Sequence, residues 1–223
     1  MKQREEKDSL GTVNVPANAY YGAQTERARQ NTLHSGLRLP MAFIRALALV
    51  KRFAAEVNVE LKRLDPDVAQ AIIGSARKVA EGGLEQAFVV DLFQTGSGTS
   101  TNMNMNEVIA AHANERLTGA IGGKSPVHPN DHVNLGQSSN DVIPTALHIS
   151  ALMAVTRELL PRFETLWQAL AEKASQWGGI RKIGRTHLQD AVPMFLGDEF
   201  GAYARQVTLS MARIKSASKG MRE

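Results

Sequence analysis

The sequence predicts an all-α protein. Two observations carry this. Apolar residues recur at three- and four-residue spacing through most of the chain, the period of a helix with one buried face. No stretch shows the strict apolar–polar alternation of a half-buried strand.

Residues 1–40 read as irregular, punctuated by Pro16, Gly22 and Pro40. Met41 to Arg63 predicts a helix whose apolar stripe is Phe43, Leu47, Val50, Phe53, Ala54, Val57 and Leu61. Asp65 followed by Pro66 starts the next helix, a capping residue and then a proline in the first turn. That helix runs to about Glu81, where Gly82 and Gly83 end it. Leu84 to Leu92 is a short apolar piece that suits a helix. Gln94 to Asn106 reads as a polar run, and a helix follows from about Glu107 to Leu117, closed by Gly119. Gly122 to Pro129 is loop. From Asp141 a long helical pattern begins, with Leu147, Ala151, Val155, Leu159, Phe163, Leu166 and Leu170 on one face. Pro161 should kink it or mark a local break. Ile183 to Pro193 is a further polar segment. Phe200, Tyr203, Val207, Met211 and Ile214 then form the stripe of a last helix. Apolar stripes this long need covering along their whole length, which points to an obligate oligomer.

Composition excludes several functions. The 223 residues are 43% hydrophobic and contain no cysteine, which rules out disulfide and thiolate chemistry and suits a cytoplasmic protein. The start, MKQREEKDSLG, lacks the apolar core of a secretory signal, and no apolar run reaches the ~18 residues of a membrane span. Net charge is +4 but scattered: Lys and Arg alternate with Glu in helical stretches such as Lys51 to Lys62, the pattern of solvated helix faces. No basic block interleaves with aromatics, so nucleic acid is not an expected partner.

Three polar clusters each precede a helix: QTGSGTSTNMNMN from Gln94, HPNDHVNLGQSSND from His128, and GRTHLQD from Gly184. Ser, Thr, Asn and Asp before a helix are ordinary caps. Three clusters this dense suggest more. Helix N-termini present free N–H groups and partial positive charge, hydroxyls and amides add donors, and Gly96 and Gly98 let backbone approach a ligand. Together these suit a small dicarboxylate. GSGTS looks like a phosphate loop, but no GKT or GKS follows and GxGxxG spacing fails. His128 and His132 stand four apart, yet Pro129 makes the spacing loop-like and no third ligand follows at a known spacing, so no metal is expected. His187, taken alone, suits a structural role as well as a functional one.

GSGTSTNMNMNEVIA, HPNDHVNLGQSSND and GRTHLQDAVP, in that order and after YYGAQTERARQN, resemble the successive signatures of class II fumarases and the similar aspartases, over about Asp8 to Arg213. The resemblance implies a small N-terminal lyase domain, residues 1–139, and part of a long-helix bundle, residues 140–223. It implies a homotetramer with active sites assembled from three subunits, no cofactor, and reversible hydration of fumarate to (S)-malate. Amination to aspartate, as in aspartases, is the alternative; Ser97 leans towards fumarase. Carried over residue by residue, Ser97, Gly98 and Thr99 hold a substrate carboxylate, Ser138, Ser139 and Asn140 hold it from another subunit, and Thr186 completes the pocket. His187 is the catalytic residue that handles water and protons. His128, Pro129, Asn130 and Asp131 match a second carboxylate site.

The chain also departs from that pattern. The loop GSSxMPxKxNP, whose serine such enzymes use as base, is not found in these 223 residues, and relatives continue for about as many residues again. The expectation is an incomplete portion, inactive alone; a non-catalytic remnant of the fold is the other reading. Asp198 stands where Gln is usual, and His132 where some fumarases have Asp.

Overall fold

The computed structural model describes residues 2–32 and 34–222. It is mostly helical and divides into two compact units, residues 1–150 and 151–223.

In the first unit, β1 (Gln3–Asp8) and β2 (Gly11–Pro16) form an antiparallel hairpin. This corrects the expectation of no strands. Alternation is present, but charged residues carry it on β1, where Arg4, Glu6 and Asp8 turn inward, Glu6 being buried; on β2 only Val15 is buried. Arg4 explains why the irregular-looking stretch after β2 is ordered. Its guanidinium donates to the carbonyls of Pro16 (3.1 Å), Ala17 (3.1 Å), Ala19 (2.8 Å) and Tyr21 (2.9 Å), and to Glu6 Oε1 (2.8 Å). Helix α1 (Ala23–Asn31) follows, a second departure from the irregular N-terminal stretch expected. It has almost no apolar stripe for periodicity to detect.

Helices α2 (Met41–Glu60) and α3 (Pro66–Ala80) pack side by side. Asp65 caps α3 as expected, its Oδ1 accepting from the N–H of Asp67 at 2.9 Å and Val68 at 3.2 Å, and Gly82 at φ +93° follows its end. The stripe read on α2 is only half right. Phe43 and Leu47 are buried, but Phe53, Val57 and Leu61 are each at least half exposed. The inward face is Ile44, Leu47, Ala48, Lys51, Ala55 and Asn58. Lys51, expected on a solvated face, is fully buried.

Leu84 to Leu92 contains one short 3-10 turn, Glu85–Ala87. Helix α4 (Thr99–Thr118) then starts eight residues before the expected Glu107, and Gly119 at φ +79° closes it. Its polar first turns are helical because their amides have tertiary partners. Asn104 donates to Ala87 O at 3.0 Å and accepts from Val89 N–H at 3.2 Å. Near the other end of α4, Asn114 pairs with Val127, accepting its N–H at 2.7 Å and donating to its carbonyl at 3.0 Å. The core of this unit gathers Val15, Phe43, Leu47, Ile72, Val79, Met105, Ile109, Val127, Val133 and Val142. A single π-helical turn, Pro129–Val133, leads to α5 (Ser139–Ala154).

In the second unit a π-helical turn, Val155–Leu159, precedes α6 (Leu160–Gln176). This is the local break expected at Pro161: with no N–H to give, proline forces the preceding hydrogen bonds to re-register. β3 (Arg181–Thr186) and β4 (Gln189–Phe195) form a second antiparallel hairpin over the polar segment Ile183–Pro193, where no strand was expected. Helix α7 (Leu196–Ala217) packs on α6, with Trp177 and Phe200 edge to face at 4.7 Å. Among the described residues no helix is long and apolar enough to cross a membrane.

Candidate functional site

Two helix N-termini meet in the first unit. Gly98, at φ +69°, turns the chain into α4, a conformation glycine adopts without strain. A Cβ there would lie 3.0 Å from Ile143 on α5, so the missing side chain lets the two helix starts approach. No local side chain caps α4. Gln94 does this from outside, its Oε1 accepting from Thr101 N–H at 3.0 Å while its Nε2 donates to Thr101 Oγ1.

This frees Ser97 and Thr99 for other contacts. Ser97 Oγ and Thr99 Oγ1 are 3.0 Å apart, and Thr99 Oγ1 is 3.1 Å from Ser139 Oγ at the start of α5. Thr99 and Ser139 thus meet within one chain, which corrects the expectation that Ser138, Ser139 and Asn140 face Ser97 and Thr99 from another subunit. Ser138 caps α5, its Oγ accepting from Asn140 N–H at 3.3 Å. Ser97, Thr99, Ser138 and Asn140 are exposed and Ser139 is half-buried. The cluster is therefore uncharged, rich in donors, set where two helices present their free N–H groups, and open to a ligand.

His128 Nδ1 accepts from the N–H groups of Asn130 (3.2 Å) and Asp131 (3.1 Å), capping the turn at Pro129, which is buried. His132 Nδ1 accepts from His128 N–H at 3.0 Å. Both rings thus face backbone donors. Among the described residues no group of three or more His, Asp or Glu is placed to hold a metal ion. Burial, opposed by nearby Asp131, pushes the His128 pKa below its usual 6.5. A lowered folded-state pKa means this cap contributes stability above the unfolded-state value, and loses it as pH falls through the folded one. The expected result is that replacing His128 with Ala lowers the melting temperature at pH 8 by the equivalent of about 1 kcal/mol, with the difference shrinking towards pH 5. A difference that grows on acidification would overturn the capping role.

Thr186 and His187 lie in the second unit, at the tip of the β3–β4 hairpin. His187 and Leu188 form its two-residue turn with φ +49° and +61°, values a side chain makes costly. Both are exposed, and Leu188 is 92% so. Arg185 and Asp190 pair across the hairpin at 2.9 Å.

Sequence reasoning missed a buried polar layer beneath the hydroxyls. Lys51 Nζ donates to Asn134 Oδ1 at 2.9 Å and Gln137 Oε1 at 3.0 Å, and Asn102 and Asn106 donate to the same Asn134 oxygen, each at 3.2 Å. The legible signal was phase: Lys51 lies four residues from both Leu47 and Ala55 on the inward face.

Comparison with known proteins bears on what such an arrangement does. The family described as Lyase matches residues 11–223. Fumarate hydratase class II 2 of Bradyrhizobium diazoefficiens is 52% identical over 216 residues, 97% of this chain and 46% of that relative. Fumarate hydratase class II of Nitrosomonas europaea is 53% identical over 214 residues, 96% of this chain and 46% of that relative. The crystal structure of the class II fumarase of Schistosoma mansoni superposes with a TM-score of 0.92 at 41% identity, covering 99% of this chain and 46% of that one. The chain thus spans under half the length of the relatives it matches.

Proposed function

The chain belongs to the lyase family, with relatives named class II fumarate hydratases, and on that premise we propose that the whole protein catalyses reversible hydration of fumarate to (S)-malate by anti addition of water. The observation that carries the reading is the contact of Thr99 Oγ1 with both Ser97 Oγ and Ser139 Oγ, at 3.0 and 3.1 Å, across the starts of α4 and α5.

Removing the proton beside a malate carboxylate turns that carboxylate into an aci-carboxylate dianion. A site speeds this step by binding the extra charge more tightly than the ground state. Neutral hydroxyls and helix-end N–H groups fixed in place contribute to this, because each donates more strongly to the dianion than to the monoanion. In this reading Ser97, Gly98, Thr99, Ser138, Ser139, Asn140 and Thr186 hold substrate. His187 handles water and the proton, and His128 to Asp131 form a second carboxylate site. No residue among the 223 is assigned as the carbon base, and the 223-residue chain alone is expected to be inactive.

The proposal extends to a cytoplasmic homotetramer, with a lyase domain to residue 139 and a helical bundle from 140. Support for assembly comes from how little the second unit buries. Among its described residues only Gly184, Gly197, Ala204, Val207 and Met211 are buried, while Leu159, Leu166, Tyr203 and Leu209 are exposed.

The test is the full-length protein with fumarate, with and without ammonium. Malate is expected in both. Aspartate formed only with ammonium would overturn the reading in favour of an aspartase.

A further inference from the structure

Lys51 is fully buried, and among the described residues it donates to two amide oxygens, Asn134 Oδ1 and Gln137 Oε1, and to no carboxylate. The same burial drives its pKa from 10.5 down to about 7. An apolar side chain would fill this space without that desolvation cost. Two further costs accompany it. Asn102 Oδ1 and Asn106 Oδ1 are buried and find no partner among the described residues, because both side chains turn their NH2 groups to Asn134. Stability alone does not account for such a layer.

Its position does. The turn at residues 133–137 runs directly into Ser138, Ser139 and Asn140. Helix α2 grips it through Lys51 and through Asn58, which donates to Leu135 O at 3.1 Å. Helix α4 grips it through Asn102, about one helical turn beyond Thr99, and Asn106. Within the turn Asn134 donates to Gln137 O at 3.0 Å, and Gln137 donates to Val133 O at 3.0 Å. Lys51, Asn58, Asn102 and Asn106 thus all donate to the segment that leads into Ser138 and Ser139.

We propose that Lys51 is a positioning residue for the substrate hydroxyls: bonded to Asn134 and Gln137, its ammonium locks the turn at 133–137 so that Ser138 and Ser139 are delivered against Thr99. The locking itself is a property of the fold; its consequence for substrate rests on the hydration reading above.

Two variants of the full-length protein test it, Lys51→Met and Gln137→Leu, the second removing one end of the link without touching the deepest site. Amide hydrogen exchange at residues 138–142, which needs no substrate, is expected to rise about tenfold in both relative to the amides of α3. The kcat for malate is expected to fall about tenfold while KM changes less than about threefold, the signature of misplaced donors that serve the developing dianion more than the ground state. The double variant is expected to resemble the worse single one. A lower melting temperature with exchange at 138–142 unchanged makes Lys51 merely structural and overturns the proposal; if Lys51→Met does not fold, Gln137→Leu decides by the same criterion. Wild-type protein inactive on fumarate and malate overturns the hydration reading instead, and the exchange result still decides the locking.

Discussion

Replacing Ser139 with Ala and Thr99 with Val together is expected to lower kcat/KM for malate about 10³-fold in the full-length protein. The two hydroxyls stand 3.1 Å apart at the starts of α5 and α4. On the proposed reading they donate to one carboxylate as it gains its second negative charge. A single donor to such a developing charge is worth about 10²–10³ in rate. Because Thr99 Oγ1 also contacts Ser97 Oγ at 3.0 Å, the effects should not simply add. The loss should fall mainly on kcat, since a donor tuned to the dianion does less for the ground state. Neither site is buried deeply enough for the changes to threaten folding. A double variant retaining more than about a tenth of wild-type kcat/KM would remove the hydroxyl cluster from the mechanism.

How much of this was legible in the sequence depended on whether apolar residues did the work. The spacing in α6 and α7 marked helices because leucines, aromatics and other apolar residues fall in phase. Caps were equally plain: Asp65 before Pro66, and Gly119 after α4. Where polar residues took the inward positions, the signal vanished. Arg4, Glu6 and Asp8 supply the inner face of β1, so a strand reads as irregular chain. Asn102, Asn104 and Asn106 read as part of a polar run ahead of the helix, because asparagine competes for backbone hydrogen bonds in isolation. In the fold those side chains are occupied by Asn134 and Ala87, and the helix survives.

The site divides along the same line. Ser97, Thr99 and Ser139 announced themselves as donors at helix starts, and a resemblance to fumarases named them. That they touch one another is a tertiary fact, set by Gly98 lying against Ile143. Lys51 was read as a surface charge because its neighbours Arg52 and Glu56 are one, paired at 2.8 Å and partly exposed. Only the burial of the Leu47–Lys51–Ala55 face separates the two. The exposed Phe53, Val57 and Leu61 show the converse error: apolar and in phase, yet turned outward.

The other large effect is expected at Glu107, which sequence reading took for the first residue of a helix and which in fact builds a different one. Helix α1 has no side-chain cap of its own at Gly22. Glu107, on α4 and buried, supplies it: Oε2 accepts from the N–H groups of Gly22 at 2.9 Å and Thr25 at 3.0 Å, and Oε1 from that of Gln24 at 3.0 Å. The missing side chain at Gly22 gives the carboxylate room, since a Cβ there would lie 2.9 Å from Oε1. A carboxylate at a helix N-terminus gains from both the charge-assisted bonds and the helix dipole. Replacing Glu107 with Ala strands three N–H groups and is expected to cost about 3–5 kcal/mol, lowering the melting temperature by roughly 10 °C. Glutamine keeps one acceptor but aims an NH2 group at donors, so Glu107→Gln should recover less than about half of the loss. Glu60, exposed at the end of α2, serves as control; its replacement by Ala should stay within about 0.5 kcal/mol. The damage should begin locally, with amides of residues 22–31 exchanging faster than those of α3. If Glu107→Ala melts within about 2 °C of wild type, then α1 is held by its packing on α4 and β2, and the carboxylate is incidental to it.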